Sequence, residues 1–328
     1  MKEAHTKRPL RLLASWDALA SSVPESPLVL VIGAFDGIHI GHQKLINEAI
    51  DRARAIQGEA WLLTFDPHPS RVLRPDEAPL LLTSSTHKKR ILETQGLDGV
   101  IFHPFTPELA TCAPTYFIEE LLAAMPKLHT IVVGTNWHFG HRAKGNVQLL
   151  EKLAVPRGIA VNVPTPVTWD NTLVSSTRIR QAVEAGHLEE AARMLGRPYS
   201  LLGTVTTGRQ YGRQLGFPTA NIRLEDEARP PTGVYAVQSL FNGEGHNGAA
   251  YLGIRPTDRG LHTHHLLEVH LFDVDMNLYD KEIEVIFTQC LRGDERFETA
   301  EALKAQIARD IQSARALFAS GSRSHDLK

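Results

Sequence analysis

Cysteine is nearly missing from this chain: Cys112 and Cys290 are the only two among 328 residues. That excludes a disulfide framework and fits a reducing compartment. Long apolar runs are missing too. No stretch approaches the roughly 18 residues of a membrane helix, and charges interrupt the N-terminus through Trp16-Asp17, leaving no signal-peptide core. Charge of one sign is also lacking, since 35 Lys and Arg meet 37 Asp and Glu for a formal net charge of −2. No overall field therefore favours DNA or RNA. There is no Walker A pattern, which excludes a P-loop kinase, and no internal repeat or low-complexity tract. These absences point to a cytoplasmic protein with neither a nucleic-acid nor a membrane partner. Hydrophobic content of 42% and charged content of 22% are ordinary for a globular chain, and the length indicates two domains.

What is present is most informative at residues 33 to 42, Gly-Ala-Phe-Asp-Gly-Ile-His-Ile-Gly-His. An apolar run, Leu28 to Ile32, precedes it. In Gln43 to Gln57, Leu45, Ile46, Ala49, Ile50, Ala53 and Ile56 then recur at helical spacing. The order strand, glycine-bearing loop, helix aims backbone N–H groups and a partial positive charge at whatever sits on the helix N-terminus, usually a phosphate. His39 and His42 add donors that can neutralise charge on a transferring phosphate.

Periodicity divides the chain. Between about 27 and 185, short apolar runs (Ala60 to Thr64, Gly99 to Phe102, Thr130 to Val133) alternate with amphipathic stretches such as Thr86 to Gln95 and Pro114 to Ala124. This predicts an α/β unit whose parallel sheet is covered on both faces, with ligands at the carboxyl ends of the strands. From about 199 the period becomes two. Val269, Leu271 and Val274 mark one run and Ile283, Val285 and Phe287 another, with Asp275-Met276-Asn277 as a hairpin turn between them. Gly233 to Leu240 reads as a further strand, and the whole as an antiparallel barrel or sandwich. A closing helix carries Leu303, Ile307, Ile311, Ala314 and Phe318 on one stripe, with Thr299 as N-cap. The expected division is 15–185, a linker helix at 186–198, and 199–320.

Three further patches follow strands or open a helix in the first half. Thr64-Phe65-Asp66-Pro67-His68-Pro69 reads alone as a proline-stiffened loop. Gly134 to Gly140, with Asn136, Trp137 and Phe139, leads into His141, Arg142 and Lys144. It is either an exposed basic loop or a flap over a planar ring and phosphates. Val174-Ser175-Ser176-Thr177-Arg178-Ile179-Arg180 places hydroxyls at a helix start.

In order, these motifs resemble the nucleotidyltransferase superfamily and, more closely, the FMN adenylyltransferase module of bacterial bifunctional riboflavin kinase/FAD synthetases. The resemblance covers about residues 15 to 320. It implies a Rossmann-like domain in which FMN phosphate attacks the α-phosphorus of ATP, giving FAD and pyrophosphate. His39 and His42 would serve the ATP phosphates, with Gly33, Phe35, Asp36 and Gly41 shaping the nucleotide pocket. Ser175, Ser176, Thr177 and Arg180 would join them, while Asp66, Asn136 and Phe139 would lie near the flavin and Mg²⁺ would bridge. One departure is visible: many members carry a basic residue three positions after the flap's Phe-Gly, where this chain has Ala143 between Arg142 and Lys144.

Residues 203 to 221 form the second rich segment: Gly203, Gly208, Gly212 and Gly216, with Arg209, Arg213, Thr219 and Asn221. Read alone, it is either a glycine-kinked barrel corner or a cradle for Mg-nucleotide. The string Gly216-Phe217-Pro218-Thr219-Ala220-Asn221 resembles the riboflavin kinase signature, which implies a β-barrel kinase domain closed by a terminal helix. In that family Thr219 and Asn221 would hold the metal, and Gly203, Gly208, Arg213 and Gly216 the nucleotide. Strand alternation puts Glu268 and His270 opposite Val269. The resemblance makes Glu268 the base for riboflavin's 5′-hydroxyl, a weak nucleophile that benefits from one. Three positions depart from the family pattern: Tyr251 for an Asn, Asp258 for an aromatic, and Asp280 for a Gly. They leave open an alternative, an FMN adenylyltransferase whose kinase module is impaired. His262, His264 and His265 match no common zinc spacing and read as a solvated loop.

Overall fold

The computed structural model describes residues 9–18, 25–208, 211–256 and 263–320. These divide into two compact units, one of residues up to 79 together with 88–175, the other of 80–87 together with 176 onward.

The first unit is built on six strands: β1 (Arg11–Leu13), β2 (Leu28–Ile32), β3 (Glu59–Phe65), β4 (Gly99–His103), β5 (Leu128–Val132) and β6 (Ala160–Asn162). All pair in parallel, in the order β1-β4-β3-β2-β5-β6. Every residue of β2 and β3 is buried, as a sheet covered on both faces requires. Alternate side chains go to opposite faces. Leu28, Leu30, Ile32, Trp61 and Leu63 pack with α5 (Pro114–Ala124) and α6 (Val147–Ala154), and Val29, Val31, Ala60 and Leu62 with α1 (Ile40–Ala55). Shorter helices α2 (Pro69–Leu73), α3 (Ser85–Leu92) and α4 (Pro107–Thr111) fill the connections, α3 crossing from one unit to the other. A two-stranded ribbon of β7 (Thr168–Trp169) and β8 (Thr172–Leu173) completes this part.

The second unit begins with α7 (Ser176–Glu184) and α8 (Leu188–Leu195), the latter ended by Gly196 at a left-handed φ of 72°. Arg178 Nη2 donates to Glu190 Oε1 at 3.2 Å between these two helices. A closed antiparallel barrel follows, made of β9 (Ser200–Thr206), β10 (Ala220–Leu224), β11 (Gly233–Phe241), β12 (Glu244–Pro256), β13 (Thr263–Leu271) and β14 (Glu282–Gly293). Its order around the wall is β10-β13-β12-β11-β14-β9. One-turn α9 (Tyr211–Gln214) lies between β9 and β10. The final helix, α10 (Ala300–Ala319), is capped by Thr299 Oγ1 accepting from the Ala302 N–H at 3.1 Å, and it packs Ile311, Ala314 and Phe318 against Ala236, Ala249 and Phe272.

Two expectations are corrected. Residues 275–277 are no hairpin turn, because β13 pairs with β10 and β12 while β14 pairs with β11 and β9. The 272–281 segment is a crossover, tied to β9 by Asp280 N–H to Val205 O and Val205 N–H to Lys281 O, both 3.0 Å. Nor do all three histidines form a solvated loop. His264 and His265 pair with Arg255 and Ile254 in the β12–β13 ladder, and His262 lies outside the described residues.

Candidate active sites

In the first unit the strand order reverses between β2 and β5, since β3 and β4 lie to one side of β2 and β5 and β6 to the other. Parallel α/β sheets bind ligands in the crevice at the carboxyl ends of such strands. The β2 end delivers residues 33–39, the β5 end delivers 134–140, and adjacent β3 delivers Asp66. Three of the sequence motifs thus converge on one rim.

The 33–42 segment owes its shape to specific contacts. Phe35, Gly37 and Ile38 have φ of 50°, 78° and 42°, the left-handed region. His39 caps α1, its Nδ1 accepting the His42 N–H at 3.3 Å, and the two imidazoles stack with centroids 3.7 Å apart and planes 17° off parallel. Gly41 favours that stack, because a Cβ there would stand 3.1 Å from the His39 ring and push it by a few tenths of an ångström. Burial, reinforced by His39 and then Lys88, pushes the His42 pKa well below the usual 6.5, and His42 Nδ1 has no hydrogen-bond partner. A neutral imidazole at this rim suits a phosphate oxygen.

Around the rim, Asp66 follows β3 and its N–H donates to His103 O at 3.0 Å. Asn136 is exposed and Trp137 half-buried. Phe139, expected beside the flavin, is instead 6% exposed within the sheet core, stacked under Trp137 at 4.5 Å and against Phe117 at 5.7 Å. Ser176 opens α7, with Ser175 just before it and Thr177 and Arg180 in its first turns.

One buried cation at this rim carries no motif. In the run His87-Lys88-Lys89-Arg90, Lys88 is 3% exposed, and its Nζ donates to Ala34 O at 2.8 Å beside Asp36 and Asp66. A cationic run on a helix reads as a solvated face, so only the tertiary structure identifies it.

The barrel carries a cavity of about 600 Å³ between its outer wall, α9 and α10. Thr219, Tyr251, Glu268 and His270 line it on the barrel side, and Asp294, Phe297 and Leu303 on the other. The alternation in β13 holds: Leu267, Val269 and Leu271 are buried, while Leu266, Glu268 and His270 face the cavity. Asn221 is the register partner of Glu268 across β10–β13.

One glycine makes room for a proposed metal ligand: a Cβ on Gly208 would fall 2.3 Å from Asn221 Nδ2, whereas one on Gly212 would first meet the Phe217 carbonyl at 2.6 Å, with Thr219 Oγ1 at 3.1 Å. Thr219 Oγ1 and Asn221 Oδ1 would each offer an oxygen, the donor that Mg²⁺ prefers, and phosphates and water would complete a small site of this kind. Among the described residues no group of three or more His, Cys, Asp and Glu could hold a metal. Gly216 has φ of 92°, a turn geometry that favours glycine. Gly203 is different: a Cβ would meet Arg223 O at 2.4 Å, so close strand packing explains it without a nucleotide. Arg213 is exposed on α9, and Arg209 lies outside the described residues.

The departures from the family pattern also fall into place. Tyr251 lies opposite Glu268 in the ladder, and its hydroxyl donates to Asp294 Oδ1 at 3.1 Å; burial, then Asp294, raises its pKa. Asp280 has φ of 62°, where a glycine is unstrained. Asp258 lies outside the described residues.

A parallel sheet with a histidine pair at its switch point is followed by a closed barrel with a carboxylate-lined cavity, an arrangement with two separate candidate sites. Family comparison agrees: a model described as FAD synthetase matches residues 22–178 and one described as riboflavin kinase matches 195–318. A bifunctional riboflavin kinase/FMN adenylyltransferase of Escherichia coli (strain K12) is 36% identical over 299 residues, 91% of this chain and 95% of that protein. That of Listeria monocytogenes serovar 1/2a is 37% identical, covering 89% and 92%. A crystal structure described as a macrolide-efflux protein from Streptococcus pneumoniae shares the fold at a TM-score of 0.80 and 28% identity, over 94% of this chain and 99% of that one. The chain belongs to the bifunctional riboflavin kinase/FMN adenylyltransferase family. Among the described residues no helix is long and apolar enough to cross a membrane.

Proposed function

We infer that this enzyme phosphorylates riboflavin to FMN and adenylylates FMN to FAD, using ATP in both steps, with a separate residue set for each. The observation that carries the reading is chemical contrast. One set is a stacked histidine pair at a strand-order switch, with His42 neutral; the other is a carboxylate facing a cavity of about 600 Å³.

In adenylylation an FMN phosphate oxygen forms a bond to the α-phosphorus of ATP as the bond to pyrophosphate breaks. A phosphate monoester is already largely dianionic near neutrality, its second pKa being about 6. No strong base is needed, and rate comes from alignment and from stabilising charge on the departing pyrophosphate. The His39 Nδ1 accepts a backbone N–H, which leaves its Nε2 to carry the proton and donate. His42, kept neutral chiefly by burial, adds a second imidazole. Gly33, Phe35 and Asp36 shape the loop, while Asp66, Asn136 and Trp137 border the flavin side, with Phe139 supporting Trp137. On the family resemblance, Ser175, Ser176, Thr177 and Arg180 contact ATP phosphates.

In the kinase reaction the riboflavin 5′-hydroxyl loses its proton to Glu268 as its oxygen bonds to the γ-phosphorus, and ADP leaves. Mg²⁺, when bound by Thr219 and Asn221, would neutralise phosphate charge. Gly208 and Gly216 keep the 203–221 segment open, and Arg213 offers a cation to the nucleotide. We place the adenylyltransferase in 15–185, the kinase in 199–320 and a linker helix at 186–198.

The test supplies ATP, Mg²⁺ and riboflavin, or FMN alone as flavin, and separates the products by chromatography. His42→Ala should stop FMN-to-FAD conversion and spare FMN formation, whereas Glu268→Ala should do the reverse. Loss of both activities from either folded variant would refute the division of labour.

A further inference from the structure

A lysine is almost never fully buried unless it is paired, and none of the sequence motifs accounts for Lys88. It is 3% exposed on α3, yet it projects into the loop that carries the nucleotide motif. Its Nζ donates to the Ala34 carbonyl at 2.8 Å, and the Thr64 hydroxyl donates to the same oxygen at 3.0 Å. Thr64 is fully buried and Asp36 is 2% exposed. One carbonyl oxygen, immediately before the left-handed Phe35, is thus gripped from two sides. The charges that face the ammonium are Asp36, Asp66 and, if protonated, His42. Burial, the largest influence, lowers the Lys88 pKa, and the two carboxylates oppose it.

We propose that Lys88 is a positioning residue of the adenylyl-transfer site, its ammonium fixing the 33–38 loop through Ala34 and balancing Asp36 and Asp66 so that the histidine pair is presented to ATP. This rests on the reading of His39 and His42 given above. Lys88 acts through the loop and through the charge that His42 feels. An apolar replacement would leave the Ala34 carbonyl with the Thr64 hydroxyl alone and two carboxylates without their cation. A merely structural lysine would affect folding; this one should also alter the ionisation of a histidine on another element.

The experiment compares Lys88→Met, Lys88→Gln and Lys88→Arg in the full-length protein. Lys88→Met should lower kcat for FMN-to-FAD conversion by about 100-fold, the scale of a misplaced catalytic group. Riboflavin phosphorylation in the same preparation should be unchanged, which also reports folding. Lys88→Arg should recover part of the loss. In parallel, NMR titration follows His42, assigned by comparison with His42→Ala. Its midpoint should rise in Lys88→Met, because a neighbouring cation has gone and two carboxylates are uncovered. Should Lys88→Met not fold, Lys88→Gln keeps a donor for Ala34 without the charge, and the same two changes are expected. Wild-type kcat and ATP KM, or an unmoved His42 midpoint in the folded variant, overturns the proposal. Failure of the underlying reading looks different, since His42→Ala would then leave FAD formation intact.

Discussion

The His42 N–H is donated to Nδ1 of His39 at 3.3 Å, and the two rings stack with centroids 3.7 Å apart. Burial is the main cost of charge on His42, and repulsion from His39 at that separation adds to it. The result is a His42 imidazole held neutral. His42 should therefore show no titration near the ordinary histidine value of about 6.5, which NMR can check. Because its folded pKa is depressed, the unfolded chain takes up the proton first. The His42 contribution to stability is intact above about 6.5 and declines as pH falls below it.

Gly41→Ala should displace His39, because the new Cβ would stand 3.1 Å from its ring. FAD formation should fall on the order of 10- to 100-fold, with FMN formation unaffected. An equal loss of both rates would remove the role assigned to this glycine.

Gly208→Ala is the counterpart in the barrel. A Cβ 2.3 Å from Asn221 Nδ2 must push that amide aside. Riboflavin phosphorylation should slow and demand more Mg²⁺, while FMN-to-FAD conversion continues. Titrating Mg²⁺ against the kinase rate provides the check.

Asp280 adopts φ of 62° on the crossover to β14. Asp tolerates this region better than most residues, but glycine occupies it without strain. Asp280→Gly should stabilise the protein by roughly 0.5–1 kcal/mol after the entropy cost of glycine is deducted, measurable by denaturant titration.

His87 sits between Glu227 Oε1 at 3.6 Å and Glu284 Oε1 at 3.4 Å, with Ser200 Oγ at 3.4 Å. Burial lowers its pKa, but its interactions with the two carboxylates outweigh that and raise it above 6.5. The resulting stabilisation is complete below about 6.5 and is lost as pH rises through the elevated folded value. His87→Leu would leave fully buried Glu227 with the Ser84 N–H at 2.6 Å but without the imidazolium charge, and should cost about 3 kcal/mol. Thermal melts across pH should show the difference between wild type and variant shrinking as pH rises.

Much of this architecture was legible because local chemistry and fold agree. The apolar runs of β2 to β5, the histidine-bearing loop and the Thr299 cap each announce themselves within a few residues. The alternation around Glu268 also predicted which side of β13 it occupies. The burial of Phe139 under Trp137 was not legible, because an aromatic in a glycine-rich loop looks the same whether it faces outward or into the core. The turn-like 275–277 stretch misled, since strand partners in a barrel are chosen by closure rather than by sequence neighbourhood. Gly203 and Gly208 look alike in sequence, but one clears a strand and the other clears Asn221.

The sequence by itself determined the kind of chemistry: paired histidines after a strand, a Thr-x-Asn string after glycines, and a carboxylate on an alternating strand. Only the folded chain decided which of these groups are dry, which are charged and which meet. Burial of Lys88 beside Asp36 and Asp66, and of His87 between Glu227 and Glu284, depends on elements distant in sequence. Electrostatic character is a property of the surroundings, and those exist only once the chain has packed.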